Sequence, residues 1–198
     1  LSWWEASGEI LRGISRAVNA IDLGQVEALL DTLMNVKRGG KKALIQGAGR
    51  SGLVGKAFAM RLMHVGIEVY VMGETITPAI GEGDIVIIIS GSGKSAMSIT
   101  AARVAKRLGS IIFSVTCYPE SELARVSDHL VVVPGRESVS EESEYQSRQL
   151  LGEHKPLVPM GTLFEDTCAV FLDGLIVELM IRLEVTETSM REKHSTIE

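Results

Sequence analysis

Asp84-Ile85-Val86-Ile87-Ile88-Ile89-Ser90-Gly91-Ser92-Gly93-Lys94-Ser95 is the stretch on which the fold turns. Val86 to Ile89 is an unbroken β-branched run, the composition of a strand covered on both faces. The Gly/Ser turn after it opens a segment of helical period that runs to about Leu108. Such a strand belongs in the middle of a parallel sheet, because crossover helices then cover each side. Working outward, residues 43–46, 67–72, 111–115 and 129–133 are shorter β-branched runs alternating with helical segments, so with 84–89 they make five strands. The reading is an α/β fold: a doubly wound, five-stranded parallel sheet of flavodoxin-like order 2-1-3-4-5 with helices on both faces. Two helices precede it, one over 5–18 and one that starts at Asp22 as N-cap, sets Val26, Leu29, Leu30 and Leu33 on one face, and stops at Gly39-Gly40. Trp3 and Trp4 read as core or subunit contact rather than chemistry.

The 198 residues suit one domain over 1–198, with helices in 1–40, an α/β core in 41–134, a polar connection in 135–159 and a long helix plus tail in 160–198. A connection of that length reads as a lid or as a loose surface excursion. At 45% hydrophobic and 23% charged residues the composition is that of a globular core. The net charge of −5 carries no basic stripe, which argues against a nucleic-acid partner. Cys117 and Cys168 lack CxxC spacing and a histidine pair, so neither disulfide nor metal is expected, as suits a cytoplasmic protein. Residues 1–10 lack the basic start and apolar run of a signal peptide. The apolar stretch from Cys168 to Leu183 carries Asp173, Glu178 and Arg182, so it reads as a buried helix and no membrane partner is expected. That helix, over 163–183, is apolar almost all round and therefore needs cover on a second side, which points to a homo-oligomer.

Two turns carry the chemistry. Gly47-Ala48-Gly49-Arg50-Ser51-Gly52 leaves the first strand and opens a helix over 53–65, so backbone N–H groups and the helix dipole face an anion there. The same string satisfies GxGxxG, and Glu74 lies where a dinucleotide fold places its ribose carboxylate. Ser90-Gly91-Ser92-Gly93-Lys94-Ser95 shifts the balance, since its three hydroxyls suit a compact phosphate monoester. Its ending imitates a Walker A loop, but that pattern needs glycine where Ile88 stands. With order 2-1-3-4-5 both turns flank the topological switch point and share one crevice.

Gly47, Gly49 and Ser51 with Ser90, Ser92, Gly93 and Ser95 resemble the paired phosphosugar signature of the sugar isomerase (SIS) family, Ser95 standing where Thr is usual. Residues 59–64, 73–78 and 159–165 are similar to the 6-phospho-3-hexuloisomerase branch of that family. The resemblance implies interconversion of D-arabino-hex-3-ulose 6-phosphate and fructose 6-phosphate through a 2,3-enediol, in formaldehyde handling or pentose supply, without cofactor or metal, in a tetramer. It marks Glu165 as base and brings forward His64 and His194 as proton-relay candidates. Phosphate falls to Ser51, Ser90, Ser92, Ser95 and the backbone of Gly47, Gly49, Gly91 and Gly93. Arg50, Lys94, Glu74 and Thr77 are candidate neighbours of the sugar phosphate, Arg50 facing phosphate or a carboxylate across an interface. Thr162-x-x-Glu165 also satisfies a capping box, which would favour ionised Glu165. An aldose–ketose isomerase using a 1,2-enediol, a non-catalytic phosphosugar module and an NAD-linked dehydrogenase stay open as alternatives.

Overall fold

Strand β1 (Ala43–Gly47) lies between β2 (Val69–Val71) and β3 (Ile85–Ile89), and β4 (Ile111–Thr116) and β5 (His129–Val132) complete a sheet of order β2-β1-β3-β4-β5. Every pairing is parallel, as the alternating pattern requires. This computed structural model describes residues 2–135, 159 and 161–194, so the lid expectation for 135–159 falls almost wholly outside the described residues. All five residues of β3 are buried, which fulfils the double cover its sequence demands. Burial of each such side chain contributes roughly 1.5–3 kcal/mol.

Alternation along the strands sorts the core into two layers. Ala43, Ile45, Ile85, Ile87, Ile89, Phe113 and Val115 face a layer formed by α2 (Leu23–Arg38), α3 (Gly49–His64) and α6 (Thr162–Arg182). Leu44, Val86, Ile88 and Ile112 face α4 (Ala96–Arg107) and α5 (Glu122–Val126). Helix α1 (Trp3–Asn19) packs on α6, where Gly13 brings its backbone within a methyl's reach of Leu163. The short α7 (Glu187–Glu192) packs against α3. Asp22 caps α2 by accepting from the Gln25 N–H at 2.9 Å, as its sequence position predicts. Gln25 in turn accepts from the Val132 N–H at 2.8 Å and ties the edge strand down. Trp3 and Trp4 depart from expectation as core residues: they are 76% and 72% exposed and meet each other edge to face.

The entry ends of the strands are pinned by two carboxylates. Asp84 accepts from the Lys42 N–H at 2.8 Å and the Gly81 N–H at 2.9 Å, and Asp128 accepts from the Ile112 N–H at 2.9 Å. Burial pushes the Asp84 carboxyl up, but those N–H groups and the Lys42 ammonium outweigh it and hold it below the ordinary range. A depressed carboxyl stabilises the fold above its unfolded pKa and loses that contribution as pH falls through the folded value. Asp84→Ala is therefore expected to cost about 1.5–3 kcal/mol in urea unfolding at pH 7. The gap from the unsubstituted protein should narrow only below about pH 4, the range of a free aspartate.

Candidate active site

The first turn is closed by backbone. A Cβ on Gly47 would lie 2.8 Å from the Gly52 nitrogen, and one on Gly52 would lie 2.7 Å from the Gly47 carbonyl oxygen, so no larger residue allows α3 to start this close to β1. Gly49 opens the helix at φ +56, four residues earlier than the apolar pattern beginning at Leu53 indicates. The N-cap is Ala48, whose side chain offers no acceptor, so the first N–H groups of α3 receive no side-chain cap. That end of α3 is built to meet an anion.

Register brings the second turn beside it. Gly47 and Ile89 are paired across β1 and β3, which sets the two turns about 4.8 Å apart at their origins. Ser90 is buried, its N–H donating to the Val115 carbonyl at 3.0 Å, and the Gly93 N–H closes the turn on the Ser90 carbonyl at 3.1 Å. Gly93 adopts φ +60 against Ser121, whose hydroxyl occupies the place a Cβ would need. The Gly91 carbonyl accepts from the Cys117 N–H at 3.0 Å. Ser95 is the N-cap of α4 but makes no side-chain cap bond, and the Ser92 hydroxyl accepts from the Lys94 N–H at 3.3 Å. Three hydroxyls and the exposed Lys94 thus surround the start of α4.

Helix α6 delivers the carboxylate. The ring of Phe164 lies 3.0 Å from where a Cβ on Gly91 would stand, which docks the first turn of α6 on the second turn. The next residue, Glu165, accepts from the Ser51 hydroxyl at 3.3 Å, and its Oε2 lies 3.5 Å from Arg50 Nε. Arg50 also donates from Nη2 to Asp166 at 3.1 Å, so the carboxylates it meets belong to its own chain. Ser51 therefore touches the base candidate while standing in the first turn. Burial pushes the Glu165 carboxyl up; Arg50 and Ser51 oppose it, and Asp166 adds to it. The net direction is upward, the one a base working near neutrality requires.

The capping box is not formed. The N-cap of α6 is Gly161 at φ +86, Thr162 is already helical, and the Glu165 carboxylate turns back over Gly161. Burial of Glu165 outweighs the hydrogen bond its carboxylate takes from its own backbone N–H, so the shift runs opposite to the capping expectation. Asp166, absent from the sequence-derived site, is reached only because α3 and α6 start at the same end of the sheet.

The other candidates have partners of their own. Glu74 pairs with Lys56 of α3 at 2.6 Å, and the Thr77 hydroxyl donates to the carbonyls of Val71 at 2.7 Å and Glu74 at 2.8 Å, so both shape the connection after β2. His64 ends α3, and thirteen residues at 1.5 Å put it about 20 Å from Ser51. It stacks on His194 with ring centroids 5.3 Å apart. Burial, then His194, Arg61 and Lys193, push His64 below its ordinary value and favour neutral imidazole. The structure unites the two histidines with each other, not with Glu165 of the same chain.

Two glycine-rich turns at the carboxyl ends of β1 and β3, with the half-buried Glu165 carboxylate beside the first, place the candidate site of this α/β domain at the switch point of its sheet. The SIS domain model matches residues 38–147, and the chain belongs to the SIS domain family. An uncharacterized protein of Aeropyrum pernix is 51% identical over 98% of this chain and 92% of its own. The 3-hexulose-6-phosphate isomerase of Bacillus subtilis is 36% identical over 98% of both chains. A solved structure from Methanococcus jannaschii, from which a 3-hexulose-6-phosphate isomerase function has been inferred, is 33% identical with a TM-score of 0.73, covering 98% of this chain and 97% of its own.

Gly161→Ala tests how the carboxylate is held. The new Cβ would stand 2.7 Å from Glu165 Oε2 in a left-handed backbone. The variant should lose about 1–2 kcal/mol in urea unfolding from backbone strain. Its carboxylate should also be displaced from Ser51, visible in a crystal structure of the variant.

Proposed function

We infer that this protein is a 3-hexulose-6-phosphate isomerase, interconverting D-arabino-hex-3-ulose 6-phosphate and fructose 6-phosphate through a 2,3-enediol. The observation that carries the mechanism is the Ser51–Glu165 contact of 3.3 Å, which sets a half-buried carboxylate against the glycine turn after β1. The substrate phosphate is held by the N–H groups opening α3 and α4 and by the hydroxyls of Ser90, Ser92 and Ser95, with Ser51 shared between phosphate and base. Binding energy at this non-reacting group fixes the second and third carbons against Glu165. Glu165 removes the proton from carbon three of fructose 6-phosphate and returns it to carbon two, while a proton passes from the third oxygen to the second. The family names on the relatives support this choice of substrate.

Assembly follows from the surface. Val170, Val177 and Ile181 form an exposed stripe on α6, 50%, 57% and 67% accessible, and Leu53 of α3 and Leu11 of α1 are exposed as well. A helix with apolar residues on its open side needs another partner, here a second copy, in keeping with the tetramer that the family resemblance implies. A relay role for His64 or His194 is then a role in a neighbour's crevice, since each is too far from Glu165 of its own chain.

Fructose 6-phosphate in deuterated water, followed by NMR with the purified protein, should exchange its hydrogen at carbon three and develop a 3-ketose signal. Exchange at carbon one instead would identify an aldose–ketose isomerase. Glu165→Gln should lower kcat by roughly 10²–10⁴ with KM little changed; a loss under about tenfold in a folded protein removes Glu165 as the base. In sedimentation velocity at micromolar concentration the protein should self-associate and Val177→Glu should weaken that association. A monomeric parent protein would overturn the assembly.

A further inference from the structure

Arg50 holds two carboxylates unequally. Its Nη2 donates a hydrogen bond to Asp166 Oδ1 at 3.1 Å. Its Nε stands 3.5 Å from Glu165 Oε2, an ion pair only, for that oxygen is buried and has no hydrogen-bond partner among the described residues. The arginine and Asp166 are at the rim, their side chains 53% and 40% exposed, whereas Glu165 is at 13%. Arg50 is also the second residue of α3, inside the turn assigned to phosphate. A phosphate monoester brings nearly two negative charges and three acceptor oxygens. Guanidinium pairs with phosphate in bidentate fashion, so phosphate offers Arg50 a better partner than the single oxygen of Glu165.

We propose that Arg50 is a latch on the base: Asp166 tethers its guanidinium at the rim, and the substrate phosphate draws it off Glu165, leaving the carboxylate to Ser51 and the substrate carbon. This rests on the reading of Glu165 as base and of the two turns as phosphate site. Asp166 is then a positioning residue that acts through Arg50. In the free protein the latch spares Glu165 an unpaired buried charge. Once phosphate has taken the guanidinium, burial dominates and the carboxylate gains proton affinity when it is needed. Among the described residues, the charged and titratable groups facing Glu165 are Arg50 from α3, Asp166 from its own helix, and the buried Cys168 thiol, itself pushed up by burial and by its thiol and carboxylate neighbours.

The test is a carbon-13 NMR titration of the Glu165 carboxyl, assigned with Glu165→Gln, in the protein alone and with inorganic phosphate or fructose 6-phosphate. Either ligand should raise the midpoint. In Asp166→Asn the arginine has Glu165 as its remaining carboxylate in this cluster, so the free midpoint should fall and phosphate affinity should weaken several-fold. KM should rise by a similar factor with kcat little changed, and Asp166→Glu should restore both. In the unsubstituted protein the acid limb of kcat should lie at higher pH than that of kcat/KM. A midpoint unmoved by bound ligand, or an Asp166→Asn protein that titrates like its parent, overturns the latch. Because the titration reads the carboxyl directly, a shifted midpoint without turnover would keep the latch and remove the isomerase reading; failure of both ligands to bind would overturn both.

Discussion

Everything at the site depends on how closely the start of α3 approaches the end of β1. Backbone atoms of Gly47 and Gly52 leave less than 3 Å for a side chain, and a Cβ on Gly55, one turn on, would meet Ile45 at 2.9 Å. Three glycines thus seat the helix directly on the strand, at a cost in chain entropy that burial of β1 and β3 offsets. The gain is position. Arg50 and Ser51 emerge at a fixed height above the sheet, within reach of α6, whose first turn docks on the neighbouring turn through Phe164 and Gly91. A carboxylate brought in by a helix distant in sequence is placed to within hydrogen-bond distance because both supports rest on the same two strands.

The electrostatics of that carboxylate follow from its shelter. Burial disfavours the charge on Glu165, Arg50 and Ser51 restore part of it, and Asp166 opposes them while holding the arginine. The resulting balance is adjustable, because Arg50 is exposed and engages Glu165 without a hydrogen bond. A bidentate pair would fix the proton affinity of the base irrespective of what occupied the crevice; a loose one lets an arriving anion set it.

The sheet was legible in the sequence because each strand announces itself by composition: β3 by its unbroken apolar run, β1 by leading into a glycine turn, and the helices by caps such as Asp22. The two glycine-rich turns were legible for the same local reason, since the glycines stand where backbone or side chains approach too closely for a Cβ. What failed was non-local or depended on competing local solutions. Thr162-x-x-Glu165 has the spacing of a capping box, yet Gly161 takes the cap because only glycine accepts φ +86 with a carboxylate overhead. The helix opening at Gly49 rather than Leu53 escaped the hydrophobic pattern, because its first four residues, Gly49 to Gly52, carry no apolar side chain. Asp166 gives no signal beyond an acid beside an acid, and its partner lies 116 residues away.

A parallel sheet has two chemically different ends, and this chain divides its residues accordingly. The carboxyl ends gather the helix N-termini of α3 and α4, a field suited to anions, and there stand the serines, Arg50 and Glu165. The opposite end gathers helix C-termini, which suit cations: Lys37 donates to the Val65 carbonyl at 2.6 Å and Lys193 to the His64 carbonyl at 3.2 Å, beside the stacked imidazoles. Burial, and after it the Lys193 ammonium, lower the proton affinity of Lys37. Within one chain the two ends are separated by the whole length of α3. Any chemistry joining Glu165 to His64 or His194 is therefore a property of how copies pack, and the exposed stripe of α6 is the surface that would decide it.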